Sequence, residues 1–156
     1  MSQGPRLAYI GGVYDLHNLG DEALYDATKA LFCRCSVLKF PRSQRLVNVA
    51  KLFASIRCAL LAGGTLINRE KIWLHLMTDY MEICPYFFVF GSGVAHPSFW
   101  KDSLRDWKPI LQRCNYIGVR GPLSAELLTD VGINRVEVVG DPVLVFAPDS
   151  CENFDL

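Results

Sequence analysis

Apolar positions along the chain follow two different periods. Short unbroken runs lie at 7–13, 36–40, 58–62, 86–90, 115–119 and 136–139, the pattern of strands buried on both faces. Between them, apolar residues recur every three or four positions over 21–33, 45–55, 71–83, 101–113 and 122–131, which predicts helices. Ala23, Leu24, Ala27, Leu31 and Phe32 show the helical spacing most clearly. Strands alternating with helices predict a mainly parallel sheet covered on both faces. With right-handed crossovers this is a doubly wound α/β fold.

In such a fold, ligands bind beyond the carboxyl ends of the strands. Every strand-to-helix turn is therefore a candidate. In chain order they fall at 14–21, 41–43, 63–65, 91–100, 120–122 and 140–142, and the first, third, fourth and fifth are richest in chemistry.

The first turn holds Asp15, His17, Asn18, Gly20, Asp21 and Glu22. Asn18 suits a helix N-cap, and Asp21 three residues later is a capping-box acid that complements the helix dipole. Capping accounts for Asn18, Asp21 and Glu22 but not for Gly20, which costs about 0.5–1 kcal/mol relative to alanine inside a helix. An anion or a sugar hydroxyl approaching the backbone gives the glycine a purpose. Gly63-Gly64-Thr65 suits a tight turn with exposed N–H groups, either a small anion nest or simply a turn needing positive φ. His96, in the fourth turn beside Phe99 and Trp100, reads as a packed loop residue or as a proton donor or phosphate ligand. In the fifth turn Arg120 ends a strand, Pro122 suits the first helical position, and Ser124 lies in the first turn of the helix. An arginine beside a positive helix terminus is not self-stabilising. Its fork matches phosphate or carboxylate, the alternative being an ion pair to Asp21, Asp15 or Asp141.

Composition narrows the field. The 156 residues fill one domain, drawn at 1–147 with a tail at 148–156. Half the residues are hydrophobic and 12% aromatic, which argues against disorder. The 16 basic and 16 acidic side chains cancel, giving no support to a nucleic-acid partner. G-x-G-x-x-G after the first strand and G-x-x-x-x-G-K-[ST] anywhere are both absent, so nicotinamide and triphosphate readings lose ground. No apolar run approaches the ~18 residues of a membrane span. The six cysteines fit no zinc spacing. The expectation is a reduced, cytoplasmic chain with no metal and no signal peptide.

The turns in order, "NLGDEA", "LLAGGTLIN", "VFGSGV" and "VRGPLSAELLTDVGI…VEVVGDPVLVF", resemble those of the polysaccharide pyruvyl transferase family. Many members carry a third glycine where this chain has Thr65. The resemblance implies a Rossmann-like lobe of a GT-B-like architecture. It also implies phosphoenolpyruvate as donor, no cofactor besides, and a sugar of a polysaccharide or its lipid-linked precursor as acceptor, joined as a pyruvate ketal. Asp21, His96 and Arg120 become candidates for catalysis, and Asn18, Gly20, Gly63, Gly64, Thr65 and Ser124 for substrate binding. In the family, Asp141-Pro142 leads on to a second α/β lobe. One lobe alone is expected to bind phosphoenolpyruvate weakly or not at all, to transfer nothing and to self-associate through its uncovered strand-end surface. Two other readings remain open: the N-terminal lobe of a GT-B glycosyltransferase using a nucleotide sugar, and a non-catalytic sugar- or protein-binding module.

Overall fold

A computed structural model describes residues 4–12, 18–39, 56–99 and 104–147. The strands are β1 (Arg6–Ile10), β2 (Ser36–Lys39), β3 (Ile56–Ala62), β4 (Tyr86–Ser92), β5 (Tyr116–Val119) and β6 (Glu137–Val138). The helices are α1 (Leu19–Leu31), α2 (Lys71–Met81), α3 (Leu104–Leu111) and α4 (Pro122–Asp130), with short 3-10 turns at Pro97–Phe99 and Pro142–Phe146. The expected helix over 45–55 and the turn at 41–43 lie outside the described residues.

All six strands are parallel and hydrogen-bonded in the order β2-β1-β3-β4-β5-β6. The doubly wound α/β expectation holds. The chain moves one way from β1 to β2, then returns past β1 and continues in the other direction. Strand order therefore reverses between β1 and β3, and the crevice above their carboxyl ends is the topological switch point.

Pleating sends alternate residues to opposite faces, and each face has its own core. Ala8, Ile10, Ala59, Leu61, Phe87, Val89, Ile117 and Val119 pack against α2, α3 and α4 through Trp73, Leu76, Met77, Trp107, Leu111 and Leu128. Leu7, Tyr9, Leu60 and Ala62 face α1 through Tyr25 and the Phe32 that ends it. The Tyr9 and Tyr25 rings meet edge to face at 5.2 Å. Tyr25 also donates to the Val37 carbonyl at 3.2 Å, tying α1 to β2.

β4 runs two residues further than its apolar pattern indicates. Gly91, at φ 63°, sits where the β4–β5 register shifts between Phe90 and Ser92. The shift is a bulge of the kind that places an extra glycine in the left-handed region. A Cβ on Gly91 would overlap Pro142, so the bulge makes room for the chain leaving β6. Among the described residues, no helix is long and apolar enough to cross a membrane.

The described cysteines are free thiols. Burial pushes Cys84 up to about 11 and Cys114 up to about 12, from 9.0, whereas Cys33 is exposed. Folding thus favours the protonated Cys114 thiol, and that contribution is lost as pH rises from 9.0 to about 12. At pH 8, a thiol-disulfide reagent followed by mass spectrometry should label Cys33 rapidly and Cys114 only after denaturant is added. Equal rates at both in the native protein would contradict the packing.

Candidate functional site

The turns after β1, β3, β4 and β5 share one edge of the sheet, as parallel strands require. Asn18 caps α1: its side chain accepts from the Asp21 N–H at 3.4 Å, and its Nδ2 donates to Asp21 Oδ2 at 2.9 Å. This is the capping reading of the first turn. Asp21 also lies against the backbone just beyond β1, because a Cβ on Gly12 would overlap its carboxylate. Gly20 behaves differently. It is exposed, and a Cβ there would meet only Asn18 Oδ1, at 3.4 Å. No close approach within the described chain accounts for it. His17 and Asp15 lie outside the described residues.

Gly63 and Gly64 both adopt positive φ, 69° and 56°. That is costly for any residue with a Cβ. At Gly63 a side chain would also run into Leu24 of α1, so the glycine lets α1 settle above the end of β3. The Gly63 N–H donates to Phe90 O at 3.2 Å, but the Gly64 and Thr65 N–H groups have no partner among the described residues. Thr65 is exposed. Among the described residues the turn thus leaves two backbone donors without a partner.

Beyond β4 the chain runs alongside this turn. Gly93 N–H donates to Gly64 O at 2.7 Å, Val94 bridges to Ile67, and Ala95 N–H donates to Ile67 O at 3.1 Å. Ser92 is fully buried at the junction. Its hydroxyl accepts from Leu66 N–H at 3.4 Å, and its carbonyl accepts from Arg120 N–H at 3.1 Å. Ser124 reaches back from α4 to accept from Val94 N–H at 3.0 Å. Sequence reasoning missed Ser92 and Asn68. Asn68 Nδ2 donates to Thr65 O, its Oδ1 accepts from Glu70 N–H (each at 2.8 Å), and its carbonyl accepts from Trp107 Nε1 at 2.9 Å. A lone asparagine two residues before a helix cap was the only available signal.

His96 is exposed. Its Nδ1 accepts from Ser98 N–H at 3.2 Å and lies 3.0 Å from Ser98 Oγ. Accepting at Nδ1 puts the proton of a neutral ring on Nε2. That nitrogen has no partner among the described residues.

Arg120 pairs with Asp141, one of the three partners left open by the sequence. Nε lies 3.1 Å from Asp141 Oδ2, close enough for an ion pair but without the alignment of a hydrogen bond. The two side chains are 36% and 32% exposed, so this attraction is partly screened. Beside Arg120, α4 begins at Gly121 with no side-chain cap. The Gly121 and Leu123 N–H groups have no partner among the described residues. A helix terminus with open donors beside a guanidinium is an anion-attracting arrangement. No group of three or more metal-ligating side chains occurs among the described residues.

The family model described as polysaccharide pyruvyl transferase matches residues 18–155. Comparisons with curated proteins and with solved structures return no match.

The Val94–Ser124 bond joins the fourth and fifth turns inside the protein. Ser124→Ala leaves the buried Val94 N–H unpaired and should cost about 1–3 kcal/mol in urea denaturation. An unchanged midpoint would show that this bond contributes nothing to stability and that the Arg120–Ser92 backbone bond and packing hold the turns together.

Proposed function

Because the chain belongs to the polysaccharide pyruvyl transferase family, we propose that its strand-end edge binds phosphoenolpyruvate and contributes to transfer of pyruvate, as a ketal, to a sugar of a polysaccharide or its precursor. The observation that carries this reading is Arg120 beside the uncapped start of α4, on the same edge as the two open N–H groups of the Gly64 turn. A donor with one carboxylate and one phosphate needs two such regions. Charge-assisted bonds from a guanidinium and from helix-terminal N–H groups are the strong kind.

Ketal formation requires a proton on the methylene carbon of the enol phosphate, which becomes a methyl group. The central carbon then takes on oxocarbenium character and is attacked by one sugar hydroxyl. Phosphate leaves with the electron pair of the broken C–O bond and a second hydroxyl closes the ring; of the two hydroxyl protons released, one replaces the proton given to carbon and the other passes to phosphate or solvent. In this proposal Arg120 and the α4 terminus hold negative charge as phosphate departs. As the imidazolium, with its Nδ1–H given to Ser98 Oγ, His96 presents Nε2–H as the proton donor, and Asp21 as the carboxylic acid is the second candidate. Asp21 is already engaged with Asn18, whereas His96 Nε2 faces no competing partner among the described residues, which favours the histidine. Asn18, Gly20, Gly63, Gly64, Thr65 and Ser124 shape the floor on which donor or sugar rests. Gly20 leaves its backbone open to a hydroxyl.

The test is phosphate release from phosphoenolpyruvate with candidate saccharide acceptors. It is run on this chain and on any longer protein containing it, with the ketal methyl group followed by proton NMR. Arg120→Lys should lower kcat/KM at least about tenfold although charge is kept, because an ammonium does not reproduce a planar fork. Wild-type kinetics in that variant would reduce Arg120 to a structural ion-pair partner.

A further inference from the structure

The two carboxylate oxygens of Asp141 do different things. Oδ1 accepts the Val143 N–H at 3.1 Å and caps the 3-10 turn at Pro142–Phe146. This bond fixes the carboxylate to the backbone just beyond β6. Pro142 is itself buried against the Gly91 bulge, so the carboxylate stands on a rigid base. Oδ2 faces Arg120 Nε.

A guanidinium has five donors in a rigid fork. Contact at Nε leaves both Nη groups available. Neither has an acceptor among the described residues, and neither is buried, whereas Nε is. From these facts we infer that Asp141 is a positioning residue: its charge, 3.1 Å from Nε, holds the inner nitrogen by ion pairing and leaves the outer two toward solvent at the strand-end edge, ready for a phosphate or carboxylate. The inference rests on the anion-site reading above. It also explains how an arginine sits beside a positive helix terminus, because the carboxylate offsets that repulsion. Two opposing effects follow. A nearby negative charge weakens anion binding by direct Coulomb repulsion, but across solvent-exposed distances this is a few-fold effect at most. Loss of a fixed guanidinium direction forfeits both parallel hydrogen bonds to the anion, and that effect should dominate.

Asp141→Asn tests this cleanly, since asparagine keeps an acceptor for Val143 N–H while removing the charge facing Nε. Nitrogen-15 NMR of the 156-residue chain should show a distinct Arg120 Nε–Hε resonance that moves toward the averaged arginine signals in Asp141→Asn, with the backbone amide spectrum otherwise preserved. Phosphoenolpyruvate affinity, read by titration, should fall about tenfold. In an Arg120→Lys background the same change should have little further effect, because its action passes through the guanidinium. An Arg120 Nε–Hε signal unmoved by Asp141→Asn overturns the positioning role whatever the chain binds. Unchanged or tighter binding in Asp141→Asn also overturns it, leaving the carboxylate a competitor of the ligand. A moved signal with no binding to the wild-type chain overturns the anion-site reading instead, and Arg120–Asp141 is then an ion pair of the fold alone.

Discussion

The 2.7 Å hydrogen bond from Gly93 N–H to Gly64 O is the contact on which the strand-end edge depends. The backbone groups here are beyond the regular ladder yet largely shielded from water, and a buried polar group without a partner costs about 1–3 kcal/mol. The turns after β3, β4 and β5 meet this demand by pairing with one another. Gly64 pairs with Gly93, Ile67 with Ala95, Ser92 with Arg120, and Val94 with Ser124. The edge is thus a small extension of the sheet, fixed at each of these pairings. Among the described residues, the N–H donors of Gly64, Thr65, Gly121 and Leu123 and the outer nitrogens of Arg120 are left without a partner and are open to bind something else.

Glycine makes that extension possible. Gly63 and Gly64 occupy the left-handed region, Gly63 lets α1 lie close over β3, and Gly91 bulges so that Pro142 can pack beside β4. The chain after β6 then packs against α1. In this way Asp141, which holds Arg120, is built into the same frame as the start of α1, although nearly the whole chain separates them.

Much of this was legible in the sequence. Continuous apolar strands have no alternative use in a chain of this size, so Leu7–Ile10, Leu60–Ala62 and Phe87–Val89 could only be interior strands of a parallel sheet. Asn18 and Asp21 announced the start of α1, because a cap is a local interaction between residues three apart. The end of β4 was not legible: Gly91-Ser92-Gly93 has the composition of a turn, and only pairing with β5 and with the turn after β3 keeps it in the sheet. Arg120 had three carboxylates within plausible reach. The choice of Asp141 follows from the β5–β6 pairing, a non-local fact. Ser92 stood out only as one letter of the VFGSGV stretch, since a single serine owes its role to what tertiary packing brings around it. Strand order was equally hidden, and with it the switch point at β1 and β3.

The central claim is that the carboxyl edge of the sheet, and not another surface, binds an anionic donor. Residue-resolved NMR titration of the chain with phosphoenolpyruvate tests it most directly. The opposite edge supplies an internal control, for a cleft of about 340 Å³ there is lined by Gln112, Asn115, Asn134 and Arg135. Saturable shifts are expected, with affinity in about the millimolar range, at the amides of Gly20, Gly64, Thr65, Gly121 and Leu123 and at Arg120 Nε–Hε. Shifts confined to Gln112, Asn134 and Arg135, or none that saturate at the strand-end edge, would contradict it.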